Sequence, residues 1–120
     1  MLAFDARHLV RVRRVVRRRA GEAGLAHERL LDLLLAINEA ATNTLLHGPG
    51  RGILRMWQEP GALVGEIRDR GRIDDLLADR GSSTDEAEGG WGLLLVNQVC
   101  DLVELRSDAG GTTVRMHMSL

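Results

Sequence analysis

Glu39, Asn43 and His47 follow one another at four-residue spacing within a leucine- and alanine-rich segment, residues 37–48. The apolar pattern predicts a helix, in which residues four apart lie on one face about 6 Å from each other. A glutamate on such a stripe can accept a proton or align a nucleophile, and an amide oxygen suits a hard cation such as Mg²⁺. The spacing indicates a polar strip directed at a ligand. A solvated helix face that carries an acid and an amide by chance is the alternative.

Composition narrows the classes of protein to which the chain can belong. With 120 residues, 44% of them apolar and 28% charged, we expect one globular domain over residues 1–120. No apolar run reaches membrane-spanning length and the start has no signal-peptide form, so we expect a cytoplasmic protein without membrane contact. The net charge of −1, with two tryptophans, one phenylalanine and no tyrosine, predicts no direct binding of nucleic acid.

The identity of the basic residues excludes two further classes of fold. All 16 are arginine and none is lysine. The P-loop and the ordinary protein-kinase fold both place a lysine on the phosphates, so neither fits this chain. A single cysteine also excludes an internal disulfide.

Hydrophobic periodicity and turn residues divide the chain into helices and strands. We expect helices over residues 5–22, 27–47 and 91–101, and strands over residues 52–58, 62–68, 102–107 and 112–118. The polar segment between Gly71 and Gly90 is long for a connection within one domain. Its stretch 72–89 is predicted to be a lid or another functional segment.

Asp69 ends an apolar row in the second predicted strand. Alternation places it on the same face as Leu63, Gly65 and Ile67, and places Thr112 on the apolar face of the last strand, where it can meet Asp69. A carboxylate at the inner rim of a core needs a fixed hydrogen-bond donor. The alternative is an aspartate that only starts a turn.

A glycine cluster, Gly89, Gly90 and Gly92, precedes the third predicted helix. Glycines that open a helix let backbone amides approach a phosphate, and the helix dipole favours the anion. The cluster fails as a dinucleotide fingerprint, because Leu95 occupies the third glycine position and a polar loop precedes it. A flexible hinge is the alternative.

These elements form an ordered set over most of the chain. The pattern Glu39-x-x-x-Asn43-x-x-x-His47, then Asp69-Arg70-Gly71, then residues 90–93 (GWGL), then Gly111-Thr112 resembles the N, G1, G2 and GT boxes of the histidine-kinase/Hsp90/gyrase-like (GHKL) ATP-binding fold. Residues 38–43 (NEAATN) and 92–101 (GLLLVNQVCD) look most like the anti-sigma-factor serine/threonine kinases. Residues 68–75 (RDRGRIDD) are also similar to ATPase domains fused behind a sensor domain in actinobacterial anti-sigma regulators.

The resemblance implies a fold and a role for each polar box residue. The fold would be an α/β (α+β) two-layer sandwich of the Bergerat type, a mixed, mostly antiparallel sheet with three helices on one face. Asn43 would be the metal ligand that holds Mg²⁺ against the triphosphate of ATP. Glu39 would be the catalytic residue, accepting the proton of the incoming hydroxyl or orienting a water. Asp69 would accept the adenine amino hydrogen, and Thr112 would join Asp69 through a hydrogen bond or a bridging water.

The remaining box residues would contact the nucleotide. Gly71, Gly90 and Gly92 would give backbone access to the base and the phosphates. The resemblance implies nucleotide contacts from His47 and Leu93 as well.

The function implied by the resemblance is that of an ATP-binding anti-sigma regulatory factor. Such a protein phosphorylates a serine or threonine of an anti-anti-sigma antagonist and sequesters a sigma factor. Whether two copies of the chain associate as a homodimer is left open by the sequence. Two other functions remain: a nucleotide-dependent binding module without turnover, and the catalytic domain of a two-component histidine kinase, for which His27-Glu28 superficially resembles the phosphoacceptor pair. The arginine-rich first helix is a solvated face, a surface for an acidic partner or, without support from an aromatic or helix-turn-helix signal, a DNA-binding element.

Overall fold

Five antiparallel strands form a single sheet in the computed structural model, which describes residues 1–71 and 94–120. The strands are β1 (Leu2–Asp5), β2 (Arg51–Glu59), β3 (Ala62–Asp69), β4 (Leu102–Asp108) and β5 (Gly111–Ser119). Their order across the sheet is β1-β2-β3-β5-β4, and all four pairings are antiparallel. Within the described strands the sheet is therefore wholly antiparallel rather than mixed.

Helices cover one face of this sheet. They are α1 (Leu9–Ala23) and α2 (His27–Leu46), and residues 94–99 are also helical. The side chain of Ile37 on α2 lies directly over Gly65 of β3, where a Cβ atom would come within 2.8 Å of Ile37 Cδ1. Ile37 is 1% exposed, and burying a side chain of this size stabilises a fold by about 1.5–3 kcal/mol. The predicted two-layer α+β sandwich is confirmed.

The core between the two layers has one apolar stripe from each helix. The apolar residues of α1 recur at helical spacing and face inward, as the sequence predicts. The buried apolar residues of the two helices and of 94–99 are Val12, Val16 and Ala20; Leu33, Leu34, Ala36, Ile37, Ala40 and Ala41; and Val96. In residues 1–71 and 94–120, none of the helices has both the length and the apolar character needed to span a membrane.

The first helix begins later than predicted. Residues 2–5 form β1, a short edge strand that pairs with β2, and a 3-10 turn (Ala6–His8) leads into α1. Asp5 terminates the strand because its carboxylate accepts a hydrogen bond from Arg7 N at 2.9 Å. Hydrogen bonds from Arg7 lower the pKa of Asp5 to about 2, so the carboxylate is ionised at neutral pH. The prediction of a helix from residue 5 was wrong because Asp5 caps the helical segment instead of joining it.

The two hairpins have the predicted turns and faces. Gly61, at the turn between β2 and β3, has a φ of 78°, which the third residue of a type II turn requires. On β5 the alternation is as expected, and Thr112, Val114, Met116 and Met118 are buried beneath the helices. The end of β3 and the start of β5 thus meet under the C-terminal end of α2.

Candidate functional site

The predicted polar stripe lies on the last turns of α2. The helix continues through Leu46, and His47 caps it by donating its backbone N–H to Asn43 O at 2.9 Å. Because the helix is unbroken, Glu39, Asn43 and His47 share one face as the spacing predicts. Glu39 and His47 are half-buried, whereas Asn43 is buried.

Asn43 carries a buried amide that lacks a hydrogen-bond partner. Its Nδ2 atom makes no hydrogen bond within the described part of the chain. An unsatisfied buried polar group costs about 1–3 kcal/mol, so the amide is a position that a polar ligand would stabilise. Rotating the amide by 180° exchanges its nitrogen and oxygen. The same position can therefore donate to a phosphate oxygen or present an oxygen to a hard cation such as Mg²⁺.

Asp69 is held in place from both the helix layer and the sheet layer. Thr44 Oγ1, on α2, donates to Asp69 Oδ2 at 2.7 Å, and Gly71 N donates to Asp69 Oδ1 at 2.8 Å. Burial raises the pKa of Asp69 above its ordinary value, and the two hydrogen bonds from Thr44 and Gly71 partly oppose that effect. Each carboxylate oxygen can accept more than one hydrogen bond. The Asp69 carboxylate can therefore still accept a hydrogen bond from a donor group of a ligand.

Thr112 is connected to Asp69 through Gly71. The two residues are directly opposite each other in the β3–β5 ladder. The Thr112 hydroxyl, however, donates to the Gly71 carbonyl at 2.7 Å and lies 3.1 Å from Ser107 Oγ. The expected link between Thr112 and Asp69 thus runs through the turn at Gly71, which accepts from one residue and donates to the other.

Gly111 allows this close approach of β5 to β3. Its φ is 129°, a conformation that L side chains rarely adopt, and a Cβ atom there would overlap the carbonyl oxygen of Asp69. A side chain would also press on Arg70 Cα. The glycine of the Gly-Thr pair is thus required by packing around Asp69, before any ligand is considered.

Thr44 is a site residue that the sequence prediction missed. It lies at the position after Asn43, and it continues the buried stripe of α2 formed by Ile37, Ala40 and Ala41. A hydroxyl on a core-facing stripe needs a partner, and the other polar group expected at the rim of the core was Asp69. The need of both groups for a hydrogen-bond partner was therefore the sequence feature that could have predicted the contact between Thr44 and Asp69.

Three predicted site residues, Gly90, Gly92 and Leu93, lie outside the described residues, as does the predicted lid over 72–89. Their assignments stay predictions. The described part of the site therefore comprises the end of α2, Asp69 and Gly71 after β3, and Thr112 on β5.

Comparison with known proteins places this arrangement in a family. A sequence model described as the histidine kinase-like ATPase domain matches residues 2–118. The chain belongs to the histidine kinase-like ATPase domain family. The predicted membership of the GHKL group is thereby confirmed.

Individual relatives of this ATPase domain agree with the family assignment. The serine-protein kinase RsbW of Halalkalibacterium halodurans is 28% identical over 105 residues, covering 76% of this chain and 64% of that kinase. Among solved structures, the RsbU and RsbW domains of a Mycobacterium tuberculosis protein have a TM-score of 0.73 at 21% identity, covering 99% of this chain and 31% of that chain. The SiaB–SiaC complex of Pseudomonas aeruginosa gives 0.69 at 12% identity, covering 98% and 89%. At these identities the structures support the fold alone.

Removing the hydroxyl of Thr44 tests the link between α2 and β3. Thr44→Val keeps the shape of the side chain but leaves Asp69 Oδ2 without its donor, so the free energy of unfolding should fall by about 1–3 kcal/mol. Urea denaturation measures the change. Thr42→Val is the matched control, since Thr42 is half-buried on the same helix and makes no side-chain hydrogen bond with the described residues. Equal stability of the two variants would contradict the assigned role of Thr44.

The raised pKa of Asp69 predicts a pH dependence of stability. Its ordinary pKa is 3.8 and the folded value is higher, so the folded state binds the proton more tightly than the unfolded state. The stability from this proton is fully present below about pH 3.8 and is lost as the pH rises through the raised pKa. Asp69→Asn cannot titrate, so between about pH 4 and about pH 7 its stability should rise relative to the wild type.

Asp101 provides a comparison of opposite sign. Hydrogen bonds from Ser119 N and Arg29 lower the pKa of Asp101, so its contribution to stability is present above the ordinary pKa and is lost as the pH falls. Relative to the wild type, Asp101→Asn should lose stability as the pH rises toward the ordinary pKa of 3.8, and should show no further relative change between about pH 5 and about pH 7. Parallel pH profiles for the two variants would show that burial of Asp69 is not the cause.

Proposed function

We propose that this chain binds ATP with Mg²⁺, transfers the γ-phosphoryl group to a serine or threonine of an antagonist protein, and sequesters a sigma factor. One observation carries the proposal: Asp69 is fixed by Thr44, which lies next to Asn43, whose buried Nδ2 has no hydrogen-bond partner among the described residues. A base-recognising acceptor and a cation-binding amide are thus joined through consecutive helix residues. The family assignment and the name of the RsbW relative agree with this function.

Asp69 selects the base in this proposal. The amino group of adenine is a hydrogen-bond donor, whereas guanine presents a carbonyl oxygen at the corresponding position. A carboxylate fixed by Thr44 and Gly71 accepts from the former and repels the latter. Gly71 and Gly48 keep side chains away from the two carboxylate oxygens, so the base can approach the carboxylate closely.

Asn43 and Glu39 act on the phosphates and on the incoming hydroxyl. The Asn43 amide holds Mg²⁺ through its oxygen, and the cation neutralises charge on the phosphate oxygens when bound. Glu39 lies one helical turn before Asn43 and accepts the proton of the attacking serine or threonine hydroxyl. Phosphoryl transfer depends mainly on positioning and on charge neutralisation, so this site does not require a lysine.

The partners in this proposal are proteins. The exposed side of α1 carries Arg11, Arg14 and Arg17, which make no hydrogen bond or ion pair with the described residues. Such a cationic helix face suits an acidic partner surface. The SiaB neighbour is in complex with SiaC in its solved structure, and this chain spans 64% of the RsbW relative and 31% of the M. tuberculosis chain. Segments beyond the domain are therefore a feature of those relatives.

ATP with Mg²⁺ should stabilise the protein by mass action. At a concentration 100 times the dissociation constant the gain is about 2.7 kcal/mol, which a thermal melt detects. Asn43→Ala should lose the part of the gain that depends on magnesium while keeping a gain from nucleotide alone. Asn38→Ala is the control, since Asn38 is half-buried on the same helix and its amide oxygen is engaged by Arg13. A melting temperature indifferent to ATP·Mg²⁺ would exclude both the kinase and the nucleotide-dependent binder.

Replacing Glu39 separates a kinase from a binding module. Glu39→Gln should bind ATP·Mg²⁺ like the wild type, because the residue acts on the hydroxyl and not on the nucleotide. Phosphoryl transfer to a serine-bearing antagonist should fall by about 10²–10⁴-fold. Glu28→Gln, at the start of the same helix, is the charge-matched control and should retain activity.

The same transfer assay decides between the alternatives. Wild-type protein that captures a sigma factor but transfers no phosphate would be a binding module without turnover. Phosphate recovered on His27 would identify a histidine kinase.

A further inference from the structure

The face of the sheet opposite the helices carries an ordered row of charges. We call it the outer face. The ladder register aligns Arg55, Glu66, Arg115 and Glu104 side by side across β2, β3, β5 and β4. Glu66 is 0% exposed, accepts from Arg115 Nε at 2.7 Å and lies 3.6 Å from Arg55 Nη1. Each arginine in this row therefore faces an acid on a neighbouring strand.

The next row on the outer face is built differently. Here Arg68 on β3 and Arg106 on β4 flank Thr113 on β5. Both arginines are exposed, and neither forms a hydrogen bond or ion pair with residues 1–71 or 94–120. A neutral hydroxyl residue thus separates two positive charges that residues 1–71 and 94–120 leave unpaired.

These two arginines line an open groove of about 540 Å³. Its acids are engaged elsewhere: Glu66 by Arg115, Glu104 by His117 Nε2 at 2.7 Å, and Asp108 by Gly110 N at 2.8 Å. Asp69 also borders the groove, but its carboxylate accepts from Thr44 on the helix side. Among the described residues that line the groove, the cationic groups without an acid partner are Arg68 and Arg106.

The spacing of the two arginines suits one tetrahedral anion. Adjacent strands are about 4.8 Å apart, so the Cα atoms of Arg68 and Arg106 are separated by about 10 Å. Two extended guanidinium groups can converge across that distance, each offering paired N–H donors that match the oxygens of a phosphate. Thr113 lies between them in the ladder and carries a hydroxyl that can act as a third donor.

We propose that Arg68, Arg106 and Thr113 form a binding site for a phosphate group on the outer face of the sheet. The group is free phosphate or the phosphomonoester of a phosphorylated side chain. The site lies on the opposite face of β3 from the Asp69 carboxylate and does not depend on the proposed kinase function. The site requires only that β3, β5 and β4 pair in the register that places Arg68, Thr113 and Arg106 side by side.

Nuclear magnetic resonance on the ¹⁵N-labelled chain tests the site. The probes are inorganic phosphate, a phosphoserine peptide and its unphosphorylated twin, each at constant ionic strength and without ATP, because the phosphates of ATP would compete for the site. Phosphate should shift the Thr113 amide in a saturable manner, and the unphosphorylated peptide should not. Arg68→Gln and Arg106→Gln should each weaken binding by roughly three- to tenfold. The double variant should abolish it.

Matched variants keep the result interpretable. Arg18→Gln removes an exposed arginine of α1 with the same change of charge and should bind phosphate like the wild type. Thr113→Val should weaken binding with the charge unchanged. Tighter binding of the phosphoserine peptide than of free phosphate would identify a phosphorylated protein as the source, and equal affinity would identify the free anion. If the double variant kept wild-type affinity, or if Arg18→Gln weakened binding as much, the site would be refuted. Nucleotide binding is measured separately, from the shift of the Asn43 amide when ATP·Mg²⁺ is added. Its absence would not contradict the phosphate site on the outer face.

Discussion

The hydrogen bond from Thr44 to Asp69 joins the helix layer to the sheet layer at the place where the candidate site is built. A carboxylate at the rim of an apolar core is unfavourable without fixed donors, and Thr44 and Gly71 supply two. The same contact fixes the end of α2, and with it Asn43, relative to the end of β3. Thr112 and Gly111 then bring β5 against the Gly71 turn. The geometry of the site follows from supplying hydrogen-bond donors to one half-buried carboxylate.

The two faces of β3 differ in electrostatic environment, and consecutive residues of the strand show the difference. On the helix face, Asp69 is an acid in an apolar setting, and burial raises its pKa. On the outer face, the neighbouring Arg68 is an exposed cation. Since strand residues alternate in direction, two chemically unlike surfaces lie back to back along one strand.

Much of the helix-side site followed from the sequence, and the failures have identifiable causes. Alternation correctly placed Thr112 and Asp69 on the same face, because both strands have clear apolar rows. The strand β1 was missed because four residues are too few to establish a period, and because Asp5 was assigned to the helix that it caps. Thr44 was missed because its role depends on which strand end lies beneath it. The pairing of Arg68 with Arg106 across Thr113 requires the strand order β3-β5-β4, which local patterns do not contain.

The burial of Glu66 also bears on how the sheet finds its register. Side chains on a strand change face with every residue, so a shift of β3 by one position would turn Glu66 toward the apolar layer and away from Arg55 and Arg115. An uncompensated carboxylate in that layer is strongly unfavourable. Trp57, with its ring 5.6 Å from Arg55 and 5.5 Å from Arg115, packs over the two cations only when both strands are aligned with Glu66. The charged row therefore penalises misaligned pairings during folding, and it ties the alignment of three strands to a single acid.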